Sequence, residues 1–185
     1  MARIEQRPGK VSFGQAMKDF FKGYVDFKGR TTRAGYWWPV LVYGIVHTVF
    51  IAYFIMKIIG TSALVAIDNE ADVLALLMSM GGVMILYLVF VLATILPFLS
   101  LTVRRNRDTG ITGKGSAVLL IANFILGRVN VAQENSLLNI ISFVLVIFLF
   151  VITIMPTNAW LTEKTSGLQA FFLRHKETRY NRDLF

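Results

Sequence analysis

Long uncharged apolar blocks are the feature that most constrains this chain. Residues 73–103 and residues 137–155 each run without a single charged side chain. A helix rises about 1.5 Å per residue, so about 20 apolar residues cross a hydrocarbon core of about 30 Å. Soluble domains rarely bury blocks of this length, and the chain is 55% hydrophobic and only 16% charged. The blocks predict an all-α integral membrane protein.

These blocks divide into four predicted transmembrane helices, of which the third is short. We place the spans at about 37–59, 83–103, 115–132 and 137–155. The block 73–103 is too long for one upright helix, so we break it at Gly81 and Gly82, with 73–80 as a short helix at the outer surface. We expect Pro97 to bend the second span. The apolar part of the third span, 116–126, is so short that a re-entrant hairpin is the alternative.

The segments that flank the spans are polar or amphipathic. Residues 1–11 are predicted to form a flexible basic tail. Residues 12–26 place aromatic side chains opposite lysines, which predicts an N-terminal amphipathic helix, and Ser12 with Gln15 fits a capping box. This helix lies either on an anionic membrane surface or against the protein's own cytoplasmic face. Residues 27–160 then form the four-span membrane domain, and residues 161–185 a basic cytoplasmic tail.

The placement of the basic residues predicts the orientation of the spans. Cytoplasmic loops carry an excess of Lys and Arg. With four spans, 17 of the 19 basic residues fall on one side, and Asp68, Glu70 and Asp72 fall on the other. Both termini are therefore predicted to be cytoplasmic, and a re-entrant 116–126 is disfavoured because it would move the basic tail outside. The net charge of +8 is then a topology signal, and we expect no nucleic-acid partner.

Two charged motifs stand at corresponding positions beside the spans. The first contains Phe27, Gly29, Arg30, Arg33, Tyr36 and Trp37, and the second contains Arg104, Arg105, Arg107, Asp108, Gly110 and Gly113. Together, in this order, they resemble the family of bacterial inner-membrane proteins called domain of unknown function 805, over residues 20–160. The resemblance implies a multi-pass protein of the bacterial cytoplasmic (inner) membrane. It implies no activity.

The arginines of both motifs form a candidate site for an anion. Arginine makes bidentate contacts with carboxylate and phosphate groups. We predict that an anionic lipid or another phosphate binds to a layer formed by Arg30, Arg33, Arg104, Arg105 and Arg107. Asp108 is predicted to form a structural ion pair with an arginine of the other motif. The alternative is that these arginines are only topology signals with solvated head groups.

His47 lies about ten residues into the first span, where an ionisable side chain is a candidate functional group. The alternative is that His47 only forms a hydrogen bond to a neighbouring helix. We expect its partner to be Asn123, Asn139 or Thr94.

The sequence contains no enzyme signature. It has no cysteine, no nucleophile elbow and no spacing typical of a zinc site, so we predict no catalytic residue, no metal and no cofactor. The leading hypothesis is a small non-enzymatic inner-membrane protein that binds anionic phospholipid and associates with itself or another membrane protein. The alternative is an oligomeric small-solute or ion channel or transporter, with His47 and the inner arginines along the path.

Overall fold

A computed structural model of the chain describes residues 3–64, 70–132 and 136–176. Helices make up most of it, in the order α1 (Phe13–Lys22), α2 (Arg33–Leu64), α3 (Glu70–Thr109), α4 (Gly113–Ala132), α5 (Ser136–Ile154) and α6 (Gly167–Phe172). Two short strands, β1 (Leu161–Thr162) and β2 (Arg174–His175), pair in parallel on either side of α6. The predicted all-α class is confirmed.

Three helices in the described part of the chain are long and apolar enough to cross a membrane. They are Arg33–Gly60 in α2, Glu70–Thr109, which is α3, and Leu137–Ile154 in α5. Large aliphatic side chains such as Ile45, Leu88 and Ile140 are exposed along their outer faces. In water such surfaces would be unfavourable, but lipid chains cover them without cost. The chain is therefore a multi-pass membrane protein.

The third helix is continuous where we predicted a break. α3 is 40 residues long, and it passes through Gly81 and Gly82 without interruption. The predicted separate surface helix 73–80 is the first part of α3, so both predictions are wrong. Glycine costs about 1 kcal/mol in a helix interior. Breaking a helix inside an apolar medium leaves several backbone groups without hydrogen bonds, at several kcal/mol each.

Pro97 lies inside α3 and leaves one backbone carbonyl without its helical donor, because proline has no N–H group. This carbonyl belongs to Ala93, four residues earlier. The Tyr24 hydroxyl donates a hydrogen bond of 2.6 Å to the Ala93 carbonyl. The residues just after α1 thus satisfy the acceptor that Pro97 leaves free.

The predicted amphipathic helix packs on the protein's own helices. α1 begins after Ser12, whose hydroxyl accepts a hydrogen bond of 3.3 Å from the Gln15 amide. The Phe20 ring lies 4.9 Å from that of Phe98 on α3. On the other side of α1, Phe21 is exposed. One face of α1 therefore packs against the protein, while Phe21 remains on the surface.

The N-terminal segment is docked, at least from residue 3. Ile4 is buried, its amide donates to the Asp26 carboxylate over 2.7 Å, and its carbonyl accepts a 2.7 Å bond from the Arg30 amide. The Gln6 amide then donates to the Arg30 carbonyl. The prediction of a flexible tail is thus wrong for residues 3–6, because Ile4 is buried and the backbone of this segment pairs with Arg30. Residues 1 and 2 lie outside the described residues.

Buried polar side chains concentrate at one end of the bundle. α2 begins there, α3 ends, α4 begins and α5 ends, and we call this region (residues 23–33, 100–116 and 152–160) the basic end. Its buried polar side chains are Thr31, Thr32, Ser100, Arg104, Arg105, Asn106, Asp108, Thr109, Ser116 and Thr153. The Asn106 side-chain amide donates to the Ser116 hydroxyl over 2.8 Å, which joins α3 to α4.

The residues after α5 fold back over the start of α4. The Thr112 amide donates to the Phe172 carbonyl over 2.8 Å, and the Arg174 amide donates to the Gly110 carbonyl over 2.6 Å. Gly110 adopts φ +114°, and a Cβ there would overlap the Trp160 carbonyl. The predicted basic tail is therefore partly docked, and its residues 177–185 lie outside the described residues.

Candidate functional site at the basic end

Arg104 holds the end of α1 against α3. Its side chain is fully buried, and its Nη1 atom donates to the Asp19 carbonyl in the last turn of α1 over 3.2 Å. Gly23 leaves room for this guanidinium group, since a Cβ there would lie 2.7 Å from the Arg104 Cζ atom. A cation at the C-terminus of a helix also interacts favourably with the helix dipole. Arg104 therefore caps α1.

Arg105, the next residue, does the same for α5. It is fully buried, and its Nε atom donates to the Thr153 carbonyl over 3.0 Å, while Nη2 donates to the Met155 carbonyl. Its Nη1 atom lies 2.5 Å from the Asp108 carboxylate. The Thr157 hydroxyl donates to the same carboxylate oxygen over 2.9 Å. Two neighbouring arginines on α3 thus fasten two different helices.

These contacts correct two predictions. Asp108 pairs with Arg105 of its own motif, three residues earlier on the same helix, and not with an arginine of the other motif. Arg104 makes the contact between the two motifs instead, because its carbonyl also accepts a 3.2 Å bond from the Thr31 amide. Since Arg104 and Arg105 are fully buried, neither presents its guanidinium group to a lipid. Both therefore leave the predicted lipid-binding set.

The other three predicted arginines are more accessible. Arg33 is exposed at the first residue of α2. Arg30 is half-buried, and its Nε atom lies 3.9 Å from the Glu5 carboxylate. Arg107 extends from the last turn of α3 into a pocket at the basic end. The structure thus spreads the five arginines over different environments instead of one layer.

The pocket that contains Arg107 has a volume of about 810 Å³, and we call it the basic pocket. Its apolar walls are formed by Leu99 and Val103 of α3 and by Ala117, Leu120 and Ile121 of α4. Its three cationic side chains are Lys28, Arg107 and Lys114, and no carboxylate lines it. The remaining lining residues are Phe27, Thr112, Gly113 and, from α6, Ala170 and Phe171. The pocket therefore combines an apolar cleft with uncompensated positive charge.

Arg107 is not fully engaged by the protein. Its Nε atom is buried and has no hydrogen-bond partner within the described ranges. Gly113 makes room for the side chain, since a Cβ there would lie 2.9 Å from the Arg107 Nη1 atom. The guanidinium group also experiences the positive charges of Arg3 and Arg30. An anion in the pocket would offset this repulsion.

The two acids within electrostatic range of Arg107 have other partners. Glu5 lies 2.6 Å from the Arg3 Nε atom. Asp26 accepts hydrogen bonds from three amides, those of Ile4, Lys28 and Gly29. Burial opposes its ionisation, but these amides and the nearby Arg104 outweigh that effect and hold the pKa of Asp26 below its ordinary value. Both carboxylates therefore attract Arg107 from a distance, but neither lines the pocket.

The sequence did not identify Lys28 and Lys114 as parts of this site. Lys28 follows Phe27 in the first motif, and Lys114 follows Gly113 in the second, so both stand inside segments that we had singled out. For the apolar walls, the sequence shows only helical spacing, such as the four residues between Leu99 and Val103, and does not show that these residues line a pocket. Which face of α3 meets which face of α4 is a tertiary property, and no spacing in the sequence reports it.

His47 forms its hydrogen bond to a different residue from those predicted. The Tyr87 hydroxyl on α3 lies 2.8 Å from the His47 Nε2 atom. The expectation of a partner on a neighbouring helix is therefore met, but the candidates Asn123, Asn139 and Thr94 are wrong. The Thr94 hydroxyl donates within its own helix, to the Phe90 carbonyl over 2.8 Å. The centroid of the His47 ring lies 4.6 Å from that of the Tyr43 ring, in a row of aromatic rings between α2 and α3.

Across residues 3–64, 70–132 and 136–176, no three His, Asp or Glu side chains lie close enough together to hold a metal ion. Of three comparisons with known proteins, the one with protein families found a match. A search of curated proteins and a search of solved structures found no significant match. The sequence profile of a family described as "Protein of unknown function (DUF805)" matches residues 24–160. That match covers both charged motifs and all of α2 to α5, so the chain belongs to the DUF805 family.

Proposed function

We propose that this chain is a small non-enzymatic membrane protein that binds an anionic phospholipid in the basic pocket. The observation that carries the proposal is the lining of that pocket, which has aliphatic walls, three cations and no carboxylate. A phospholipid presents the complementary surfaces, an acyl chain next to a phosphate. The pocket replaces the predicted arginine layer as the binding site, and only Arg107 belongs to both.

The depth of the pocket supports this ligand. Leu99 and Val103 are the last apolar residues on that face of α3 before the charged segment that starts at Arg104. Lys114 directly precedes the predicted third span, and Lys28 lines the same pocket. Cations at such a boundary lie near lipid phosphates and attract anionic lipids by about 1 kcal/mol each. The cleft would therefore receive an acyl chain while its mouth meets the phosphate.

We propose further that four helices cross the bacterial inner membrane and that both termini are cytoplasmic. Because Arg105 contacts Thr153, the ends of α3 and α5 lie together at the basic end. The chain must therefore return to the opposite end between them, and α4 provides this connection. Its 20 residues are about 30 Å long, which matches the hydrocarbon core. The clustering of 17 of the 19 basic residues on one side supports the orientation.

Lipid retention tests the binding site. The full chain is purified in mild detergent, mixed with liposomes that contain phosphatidylglycerol and phosphatidylcholine, and analysed by native mass spectrometry. We expect the wild type to retain phosphatidylglycerol and the Arg107→Gln/Lys114→Gln variant to lose most of it. The matched control is Lys10→Gln/Lys18→Gln, which removes two exposed cations outside the pocket. Equal retention by all three proteins would show that the basic pocket does not bind lipid.

Site-specific labelling tests the topology. The chain has no cysteine, so a maleimide reacts only with the cysteine that a single substitution introduces. Glu70 and Thr165 are both exposed, so a cysteine at either position can react. A membrane-impermeant maleimide added to intact cells should label Glu70→Cys and leave Thr165→Cys unlabelled until the cells are opened. Labelling of both positions from outside would contradict the four-span arrangement.

We also propose that the protein associates with itself or with another membrane protein. The exposed faces of its long helices are apolar, so a second helix could pack on them without burying a charged side chain. Sedimentation in detergent and cross-linking in native membranes test this. A monomer without cross-linked partners would contradict it.

A further inference from the structure

The basic pocket carries more positive charge than an ordinary phospholipid can neutralise, and this inference rests on the proposed lipid-binding function. Lys28, Arg107 and Lys114 line the pocket without a carboxylate. The nearby acids, Glu5 and Asp26, are engaged by Arg3 and by three amides. A phosphodiester lipid such as phosphatidylglycerol carries one negative charge. That single charge would offset only one of the three lining cations, and outside the lining the attraction of Glu5 and Asp26 for Arg107 is opposed by Arg3 and Arg30.

The start of α4 adds further donors at the same mouth. Gly113 and Lys114 are its first residues, and both line the pocket. The Thr112 hydroxyl accepts the Gly115 amide over 3.0 Å, and the Thr112 carbonyl accepts the Ser116 amide over 2.9 Å. In the described part of the chain, the amides of Gly113 and Lys114 have no acceptor, as expected for the first turn of a helix. They add to the charge of Arg107 and to the positive end of the helix dipole.

We propose that the basic pocket selects a lipid with a terminal phosphate monoester, the chemistry of phosphatidic acid, over phosphodiester lipids. A monoester carries about −1.5 to −2 charges at pH 7, since its second pKa is about 6, and it offers three terminal oxygens. A diester offers two such oxygens and one charge. Three cations and two free amides can therefore use the larger charge and the additional oxygen of the monoester, which a diester lacks.

Helix α6 forms part of the wall beside these cations. Ala170 and Phe171 belong to the lining. The Thr112 hydroxyl donates to the Phe171 carbonyl over 2.5 Å, so α6 is held against the start of α4. The pocket of about 810 Å³ has room for a phosphate and the first part of an acyl chain along Leu120.

The test compares lipids that differ only in the headgroup. The full chain in detergent is titrated with dioleoyl phosphatidic acid, phosphatidylglycerol and phosphatidylcholine, and bound lipid is quantified by native mass spectrometry at pH 7.5 and pH 5.5. We expect phosphatidic acid to bind about tenfold more tightly than phosphatidylglycerol at pH 7.5, a difference of about 1.4 kcal/mol. The preference should shrink to about threefold or less at pH 5.5, because the monoester loses its second charge. The pocket is lined by no histidine or carboxylate that would titrate in this interval.

Variants and a soluble competitor complete the experiment. Lys114→Gln should reduce the preference for phosphatidic acid to about threefold or less, and the control Lys18→Gln should leave it at tenfold. Glycerol 3-phosphate has the same monoester without acyl chains, so it should displace the lipid only at concentrations at least 100-fold higher. Displacement at equal concentration would mean that the aliphatic walls contribute nothing and that the ligand is a soluble phosphate ester.

The outcomes separate the two proposals. Equal binding of phosphatidic acid and phosphatidylglycerol, both tighter than phosphatidylcholine, would overturn the monoester preference and leave anionic-lipid binding intact. Equal binding of all three lipids would overturn both. A preference for phosphatidic acid that does not change between pH 7.5 and pH 5.5 would also overturn the inference, since the second charge of the monoester would then play no part.

Discussion

Replacing Arg105 by methionine should separate α5 from α3 at the basic end. Methionine keeps most of the volume of the side chain but none of its donors. The change leaves the carbonyls of Thr153 and Met155 without the Arg105 donor and the Asp108 carboxylate without its counter-ion. The Thr157 hydroxyl remains as a donor to Asp108. Removing one partner of a buried ion pair costs about 3–5 kcal/mol, because a buried charge is left uncompensated.

Thermal unfolding in detergent measures this cost. For a chain of 185 residues, 1 kcal/mol shifts Tm by about 2–4 °C, so we expect a decrease of about 6–20 °C. Intrinsic fluorescence is a suitable probe, since the Trp37 indole donates to the Thr153 carbonyl over 3.3 Å, the carbonyl that Arg105 also caps. Adding Asp108→Asn to Arg105→Met should recover part of the loss, because the uncompensated charge disappears.

Arg33→Met is the matched control, since Arg33 is an exposed arginine at the same end of the bundle. Surface substitutions usually change stability by less than about 0.5 kcal/mol. If Arg105→Met and Arg33→Met had the same Tm, Arg105 would not be fastening α5, and the assignment of a structural role to the buried arginine would be refuted.

Three further changes test other parts of the fold by the same unfolding assay. Gly110→Ala should be strongly destabilising, because φ is +114° and the new Cβ would overlap a carbonyl. Gly82→Ala lies in an open helical position and should be neutral or stabilising by up to about 1 kcal/mol. If Gly82→Ala were the more destabilising of the two, the turn geometry at Gly110 would be contradicted. Asp26→Asn should lower stability at pH 7, because the pKa of the Asp26 carboxylate is lower in the folded protein than its unfolded value of about 3.8. The ionised carboxylate therefore stabilises the fold above pH 3.8, and this stabilisation is lost as the pH falls through the folded pKa. A variant as stable as the wild type at pH 7 would argue against this role. Tyr87→Phe should cost about 0.6–1.5 kcal/mol through the lost hydrogen bond to His47, and no loss would indicate that the pair is not formed in the membrane.

The apolar helices could be predicted closely from the sequence. The predicted spans at 37–59 and 137–155 fall within or at the ends of α2 and α5, and the predicted third helix, 115–132, nearly coincides with α4. Hydrophobic length identifies such helices because every backbone group in lipid must be bonded within its own helix. The same rule explains the error at Gly81 and Gly82. Turn signals taken from soluble proteins do not break a helix where no water can solvate the free ends.

The candidate site could be predicted only in part. The positive-inside rule places arginines at the basic end whether they are buried or solvated, so it does not separate Arg104 and Arg105 from Arg107. What separates them is the presence of helix ends within reach, namely the carbonyls of Asp19 and Thr153. Those partners are 85 and 48 residues away in the chain. Contacts of this range leave no local pattern.

The adjacency of Arg104 and Arg105 also limits how the length of the chain can change. Successive residues point about 100° apart around a helix, and this angle directs one guanidinium group to α1 and the next to α5. Deleting one residue between Pro97 and Arg104 would rotate both groups by about 100° together and release both helices in a single step. Neighbouring side chains can compensate for a substitution, but they cannot compensate for a rotation that turns every later side chain of the helix in a new direction. We therefore expect natural relatives to keep the number of residues from Pro97 to Thr109 constant, even where the identities of the intervening residues differ.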